Sequence, residues 1–392
     1  MLMEDDDPTP IYAQKLHEML LEFSIITQRF WKHNTKDLTF GQGPGCSSVG
    51  EGAFVEHGPF KPKGDGLLKN DYSWNKAGDN LVFLEKWFHK YPQYKNRDFY
   101  ITGESYAGHY VPQLATLIVH SKAKINLKGI AIGNPLLDFE NDFNSRGEYL
   151  WSHGLISDDT YDMCNNVCNH STLRRQSNSD AITPACSLVS TQASKEIGEF
   201  VNDYDVTLNV CLSDVFSQSQ VLDPNPKIDV CVENETSIYL NRKDVQTALN
   251  ARLVNVNEWE VCSSILEYAM SDMEEAMTPV LASLIKSGIR VFIYSGDQDS
   301  VLPLTGTRMV VNRLAKRLGL TTTLPYRAWI NDNQVGGWAQ VYGDSVLSYA
   351  TIRGAAHEAP FTQPQRSIAL FKCFLAGKPL PRAKDETDPN NH

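Results

Sequence analysis

Three residues in this chain of 392 could share one reaction: Ser105, Asp299 and His357. A serine hydroxyl is a weak nucleophile at neutral pH. It needs an imidazole to take its proton and a carboxylate to hold that imidazole in the right tautomer. It also needs backbone N–H donors aimed where an oxyanion will form. Ser105 lies in Gly103-Glu104-Ser105-Tyr106-Ala107-Gly108. Small residues flank it, as a tight strand-to-helix turn requires. Ala107 takes the last place of the G-x-S-x-G pattern, and Gly108 follows it. Asp299 follows a short apolar run, Ile289 to Tyr294, with Pro303 beyond it. Asp297 competes for the same role, and Asp299 is the nearer of the two to the loop tip. His357 comes last, after a strand and before the final helix. The expected oxyanion donors are the N–H groups of Tyr106 and of Gly43, the latter in the loop Gly41-Gln42-Gly43-Pro44-Gly45-Cys46-Ser47-Ser48.

A strand must deliver Ser105 and a helix must leave it. Asp98 to Thr102 has the β-forming residues for the strand. Tyr110 to Ser121 reads as the helix, with Pro112 tolerated in its first turn. Further strands are expected at Lys128 to Ile132, Ile289 to Tyr294, Tyr326 to Ile330 and Val346 to Ile352, and a closing helix at Gln363 to Leu375. Leu16 to Trp31 has the spacing of an amphipathic helix. The chain order serine, aspartate, histidine is that of the α/β-hydrolases. The expected fold class is therefore α/β: an α/β-hydrolase fold with a central, mostly parallel sheet flanked by helices. From about residue 139 to 262 the pattern turns polar, helical and cysteine-rich, which reads as a cap inserted into a domain spanning 38–377. Residues 1–37 form a divergent segment. Residues 378–392, Pro-rich and charged, are expected to be a disordered tail.

The formal net charge of −11 argues against nucleic acid or an anionic membrane surface as partner. No stretch is long and apolar enough to span a bilayer. The first residues, with Glu4, Asp5, Asp6 and Asp7, lack the layout of a signal peptide, which taken alone points to the cytosol. The cysteines point elsewhere. Of eight, Cys164, Cys168, Cys186, Cys211 and Cys231 fall close together, without histidines at zinc-site spacing. Disulfides, and hence a secretory setting, fit better. The sequons Asn169-His170-Ser171 and Asn234-Glu235-Thr236 agree, making Asn169 and Asn234 candidate glycosylation sites.

Together the motifs resemble the serine carboxypeptidase family. The resemblance runs from Gly43-Pro44-Gly45-Cys46-Ser47-Ser48 through Gly103-Glu104-Ser105-Tyr106-Ala107-Gly108-His109-Tyr110 to Gly296-Asp297-Gln298-Asp299 and His357-Glu358. It implies removal of single residues from peptide and protein C-termini, best at acidic pH, without metal or cofactor. An acyltransferase that uses sugar esters is the alternative on the same scaffold. The resemblance places Glu104, with Gly41 and Gln42, at the substrate's terminal carboxylate, and offers Glu56 as a neighbour sharing the proton. A carboxyl group can donate a hydrogen bond to a carboxylate only while protonated. The family's disulfides would pair Cys46 with Cys262, Cys168 with Cys186 and Cys211 with Cys231, leaving Cys164 and Cys373 free. Vacuolar or secreted location is implied, and a homodimer is allowed.

The chain departs from that pattern in three places. Residues 1 to about 37 do not match the family's opening strands. Gly41-Gln42 stands where the family has Asn-Gly. Only Lys76-Ala77-Gly78-Asp79-Asn80 separates Asp71-Tyr72-Ser73-Trp74-Asn75 from Leu81-Val82-Phe83-Leu84, where the family has several tens of residues that include a core strand. The N-terminal strands and one core strand are expected to be missing, leaving backbone groups unpaired. An inactive, truncated form is the corresponding alternative.

Overall fold

The computed structural model describes residues 60–63, 66–69, 77–179, 181–211, 228–248, 258–259 and 270–382. The helix expected at Leu16 to Trp31, the loop at Gly41 to Ser48, Glu56 and Cys262 lie outside them.

The strands in chain order are β1 (Phe60–Lys63), β2 (Gly66–Lys69), β3 (Phe99–Glu104), β4 (Leu127–Gly133), β5 (Arg290–Gly296), β6 (Thr322–Asn331), β7 (Gln334–Tyr342) and β8 (Leu347–Ile352). β1 and β2 form a small antiparallel pair. The other six make one sheet in the order β3-β4-β5-β8-β7-β6. β3, β4, β5 and β8 run parallel. β8, β7 and β6 are antiparallel neighbours. The sheet is thus mixed, with its four parallel strands contiguous.

Around it lie α1 (Ala77–Lys90), α2 (Ala107–His120), α3 (Phe139–Ser152), α4 (Asp158–Asn166), α5 (His170–Asn178), α6 (Pro184–Ile197), α7 (Val232–Leu240), α8 (Lys243–Ala248), α9 (Met270–Glu274), α10 (Thr278–Lys286), α11 (Leu304–Arg317), α12 (Ala359–Thr362) and α13 (Pro364–Ala376).

Alternation along the central strands divides the core between two faces. Ile130 and Ile132 of β4 and Val291 and Ile293 of β5 pack against Ala115 and Ile118 of α2, Leu281 and Leu284 of α10, and Val310 and Leu314 of α11. Ala131 and Phe292 face the other way, against Leu370 and Phe374 of α13. Strands buried on both faces read as continuous apolar runs, which is why β4 and β5 stand out in the sequence.

β7 does not stand out. Gly336 and Gly337 lie inside it, and glycine has low strand propensity. Pairing with β6 on one side and β8 on the other makes it a strand. β3, which leads into Ser105, pairs with β4 alone among the described residues.

The segment after Gly377 corrects the expected loose tail over the residues described. Leu380 is buried in the core that includes Trp329 and Phe374. Arg327 of β6 donates to the carbonyls of Leu380 (2.6 Å) and Pro381 (3.2 Å), and the Ile330 N–H donates to Pro381 at 3.0 Å. An edge strand otherwise offers open hydrogen-bonding groups, and this segment occupies part of that edge. Leu380→Ala should lower unfolding stability by about 2 kcal/mol or more, read as a fall in the urea midpoint with an unchanged slope.

Candidate active site

Ser105 occupies a sharp turn between β3 and α2 with φ 61°. This left-handed conformation is uncommon for a residue with a Cβ, and such strain persists only where surrounding bonds enforce it. The bonds are present. The Ser105 N–H donates to Gly133 at 2.9 Å, and its carbonyl accepts from Gly108 and Leu136, each at 3.0 Å. The flanking glycines have a steric cause. A Cβ on Gly103 would sit 2.5 Å from the Ala107 Cβ, and one on Gly108 would sit 2.2 Å from the Leu136 carbonyl oxygen. The side chain of Ser105 is buried.

The parallel strands all end on this side. Register pairs Glu104 with Gly133, Gly133 with Tyr294, and Gly296 with Ile352. Ser105, Asn134, Asp299 and His357 therefore follow four neighbouring strands at the same edge, the position where open α/β sheets place their ligands.

His357 Nδ1 and Asp299 Oδ2 are 2.7 Å apart, with both side chains fully buried. His357 Nε2 is also buried and has no hydrogen-bond partner among the described residues. Asp297 is engaged elsewhere: its Oδ1 accepts from Gly354 N–H (2.6 Å) and Gln298 Nε2 (2.9 Å). Of the two aspartates in this loop, the one at the imidazole is Asp299.

Sequence reading assigned no role to Asn134. It is fully buried with φ 38°. Its Nδ2 donates to Asp299 Oδ2 at 2.8 Å, and its Oδ1 accepts from the Gly296 N–H at 2.9 Å. Asp299 Oδ1 also accepts from Val301 N–H at 2.8 Å. The one local hint of Asn134 was its place in Gly133-Asn134-Pro135, a turn closing a strand. Its partner lies 165 residues away.

Burial pushes the His357 imidazolium down, while the charges of Asp299, Glu104 and Glu358 push it up, and the net value lies above that of an ordinary histidine. Burial also raises the Glu358 carboxyl to about 7, with the nearby His357 opposing the rise and Glu233 adding to it. Glu104 is half-buried at the end of β3. Tyr106, buried at the start of α2, stacks on His109 with ring centroids 4.7 Å apart. Burial lowers His109 to about 4, which keeps its ring neutral under Tyr106. Gly41, Gln42 and Gly43 lie outside the described residues.

Among the described residues, Cys168–Cys186 and Cys211–Cys231 form disulfides, and Cys164 and Cys373 are free. Both sequon asparagines fall at helices. Asn169 caps α5 by accepting from Thr172 N–H at 2.9 Å, and Asn234 is exposed on α7. Among the described residues, no cluster of histidine, cysteine and carboxylate could hold a metal ion, and no helix is long and apolar enough to cross a membrane.

The family model described as serine carboxypeptidase matches residues 40–81 and 76–377. Its two pieces meet where the chain is short against the family pattern. The chain is 54% identical over 382 residues to serine carboxypeptidase-like 45 of Arabidopsis thaliana, covering 88% of this chain and 83% of that protein. It is 52% identical over 384 residues to serine carboxypeptidase-like 46 of the same plant, covering 88% and 82%. In fold it is similar to the crystal structure of Kex1Δp, a prohormone-processing carboxypeptidase from Saccharomyces cerevisiae, with TM-score 0.56, 18% identity, and coverage of 81% of this chain and 78% of that one. Elbow, sheet order and relatives agree: the chain belongs to the serine carboxypeptidase family and is a hydrolase of α/β-hydrolase fold.

Proposed function

We propose that this protein is a serine-type carboxypeptidase that releases C-terminal residues from peptides and proteins through an acyl-enzyme. The observation that carries the reading is the buried His357–Asp299 contact, with His357 Nε2 left without a partner among the described residues at the sheet edge where Ser105 sits. His357 Nε2 takes the proton of Ser105 as the serine oxygen bonds to the scissile carbonyl carbon. The Tyr106 and Gly43 N–H groups hold the resulting oxyanion. His357 then gives its proton to the leaving amine as the C–N bond breaks. Water, deprotonated by the same imidazole, attacks the acyl-enzyme and restores Ser105. Asp299 holds the imidazole in the tautomer that leaves Nε2 free. Glu104, protonated, donates to the substrate's terminal carboxylate.

Two further attributes belong to this reading. A secreted or vacuolar location fits the two disulfides among the described residues, since such bonds persist in oxidising compartments. Glycosylation at Asn169 and Asn234 fits the same setting.

Assay of an N-blocked dipeptide from about pH 4 to about pH 8, a window that spans the carboxylate and histidine ranges, tests the activity. Ser105→Ala should reduce turnover by at least about 10⁴-fold. Release of no C-terminal residue, together with acyl transfer from a sugar ester to an alcohol, would establish the acyltransferase instead. Failure of the parent chain to react with a fluorophosphonate would identify an inactive form.

Asn134→Ala should lower kcat about tenfold, because Asp299 loses a buried donor worth roughly 1–3 kcal/mol. KM should change little.

The two titrating groups act in opposite senses. His357 works only when neutral, and its value is raised. Labelling of Ser105 by a fluorophosphonate, which carries no carboxylate for Glu104 to bind, should therefore increase with pH through a midpoint above the ordinary histidine value. Peptide turnover also needs a protonated carboxyl at Glu104, so its profile should fall on the alkaline side while labelling stays high. Parallel pH profiles for the two reactions check this.

A further inference from the structure

We propose that the turn at residues 202–208 positions the catalytic pair, with Asp205 as the positioning residue; the inference rests on the serine-hydrolase reading above. The turn belongs to the stretch between β4 and β5 and reaches both loops that carry the pair. The Asp203 carbonyl accepts from the Ser300 N–H at 3.0 Å and from Ser300 Oγ at 2.7 Å. The Val206 N–H donates to Gln298 at 3.1 Å, and the Tyr204 carbonyl accepts from the His357 N–H at 2.8 Å. One short segment therefore binds the residues on either side of Asp299 and the backbone of His357 itself. The Tyr204 ring lies against the His357 imidazole, with centroids 5.2 Å apart.

The turn has its own internal support. Asp205 is 2% exposed. Its Oδ1 accepts from the Thr207 N–H (2.9 Å), Thr207 Oγ1 (2.6 Å) and the Leu208 N–H (3.1 Å). Asn202 Oδ1 accepts from the Tyr204 N–H at 2.9 Å. Arg146 of α3 pairs with Asp203 at 2.7 Å, so the turn is tied to the helical region as well.

An insertion that merely rested on the domain would spread its bonds over the contact. Here residues 203, 204 and 206 direct theirs to 300, 357 and 298. The two loops also touch directly, through Gln298 N–H to the Ala355 carbonyl at 2.9 Å. The turn braces that junction from a third side. Displacement of a reacting group by about 1 Å can cost about 10²-fold in rate, so bracing of this kind affects catalysis without touching substrate.

The experiment compares Asp205→Ala with Asp205→Asn in the full chain. Asparagine keeps the accepting oxygen and alanine removes it. Folded Asp205→Ala should label with a fluorophosphonate about tenfold more slowly, with kcat reduced alike and KM within about twofold. Asp205→Asn should stay within about threefold of the parent. A folded Asp205→Ala that labels at the parent rate, a change in KM alone, or an Asp205→Asn as impaired as Asp205→Ala would overturn the proposal. If Asp205→Ala does not fold, Ser300→Ala removes the Oγ bond to Asp203 alone. It should slow labelling several-fold, and the parent rate would overturn the proposal. A parent chain that labels but releases no C-terminal residue overturns the peptidase reading, and labelling alone then decides the role of Asp205. A parent chain that does not label overturns both.

Discussion

The rest of the site depends on a carboxylate held dry at the end of a parallel sheet. Asp299 has no solvent contact, and an ionised carboxylate there needs hydrogen-bond donors to offset lost hydration. The His357 imidazole, the Asn134 amide and the Val301 N–H supply them. Each donor comes from a different part of the chain: the loop after β8, the turn after β4, and the loop of Asp299 itself. The charge therefore gathers the ends of several strands at one point. The same charge holds the imidazole and raises its proton affinity.

The nucleophile is held differently. β3 has a strand neighbour on one side among the described residues. The turn at Ser105 is instead fixed by local bonds to Gly133, Gly108 and Leu136. Close packing of Gly103 on Ala107 and of Gly108 on Leu136 leaves no room for a Cβ at either glycine. A strained residue can persist on such a strand because the turn after it is over-determined.

Beyond the sheet edge, helical segments make contacts that reach the site. Tyr149 of α3 donates to the Asp297 carbonyl at 2.9 Å, and the turn at 202–208 bonds the loops on either side of the pair. Disulfides Cys168–Cys186 and Cys211–Cys231 cross-link this same region. A segment that lacks a place in the parallel sheet gains definition from such cross-links, and its bonds to the catalytic loops make its shape matter for them.

By itself the sequence determined the elements whose causes are local. The glycines around Ser105, the apolar runs of β4 and β5, and the order of serine, aspartate and histidine all express short-range sterics or alternation. Contacts between distant residues left no such mark. Between Asp297 and Asp299 the chain offers only nearness to the loop tip, which favours Asp299, while the contact with His357, 58 residues on, belongs to the fold. Asn134 is an ordinary turn residue until the sheet brings the Asp299 carboxylate to 2.8 Å from its amide, and the turn around Asp205 is ordinary until the fold sets its backbone against Gln298, Ser300 and His357. β7 is a strand through its neighbours, and Leu380 is core because it is buried in one cluster with Trp329 and Phe374. Tertiary structure decided these because burial and hydrogen-bond satisfaction belong to the assembled fold, whereas turn geometry and periodicity are properties of the chain.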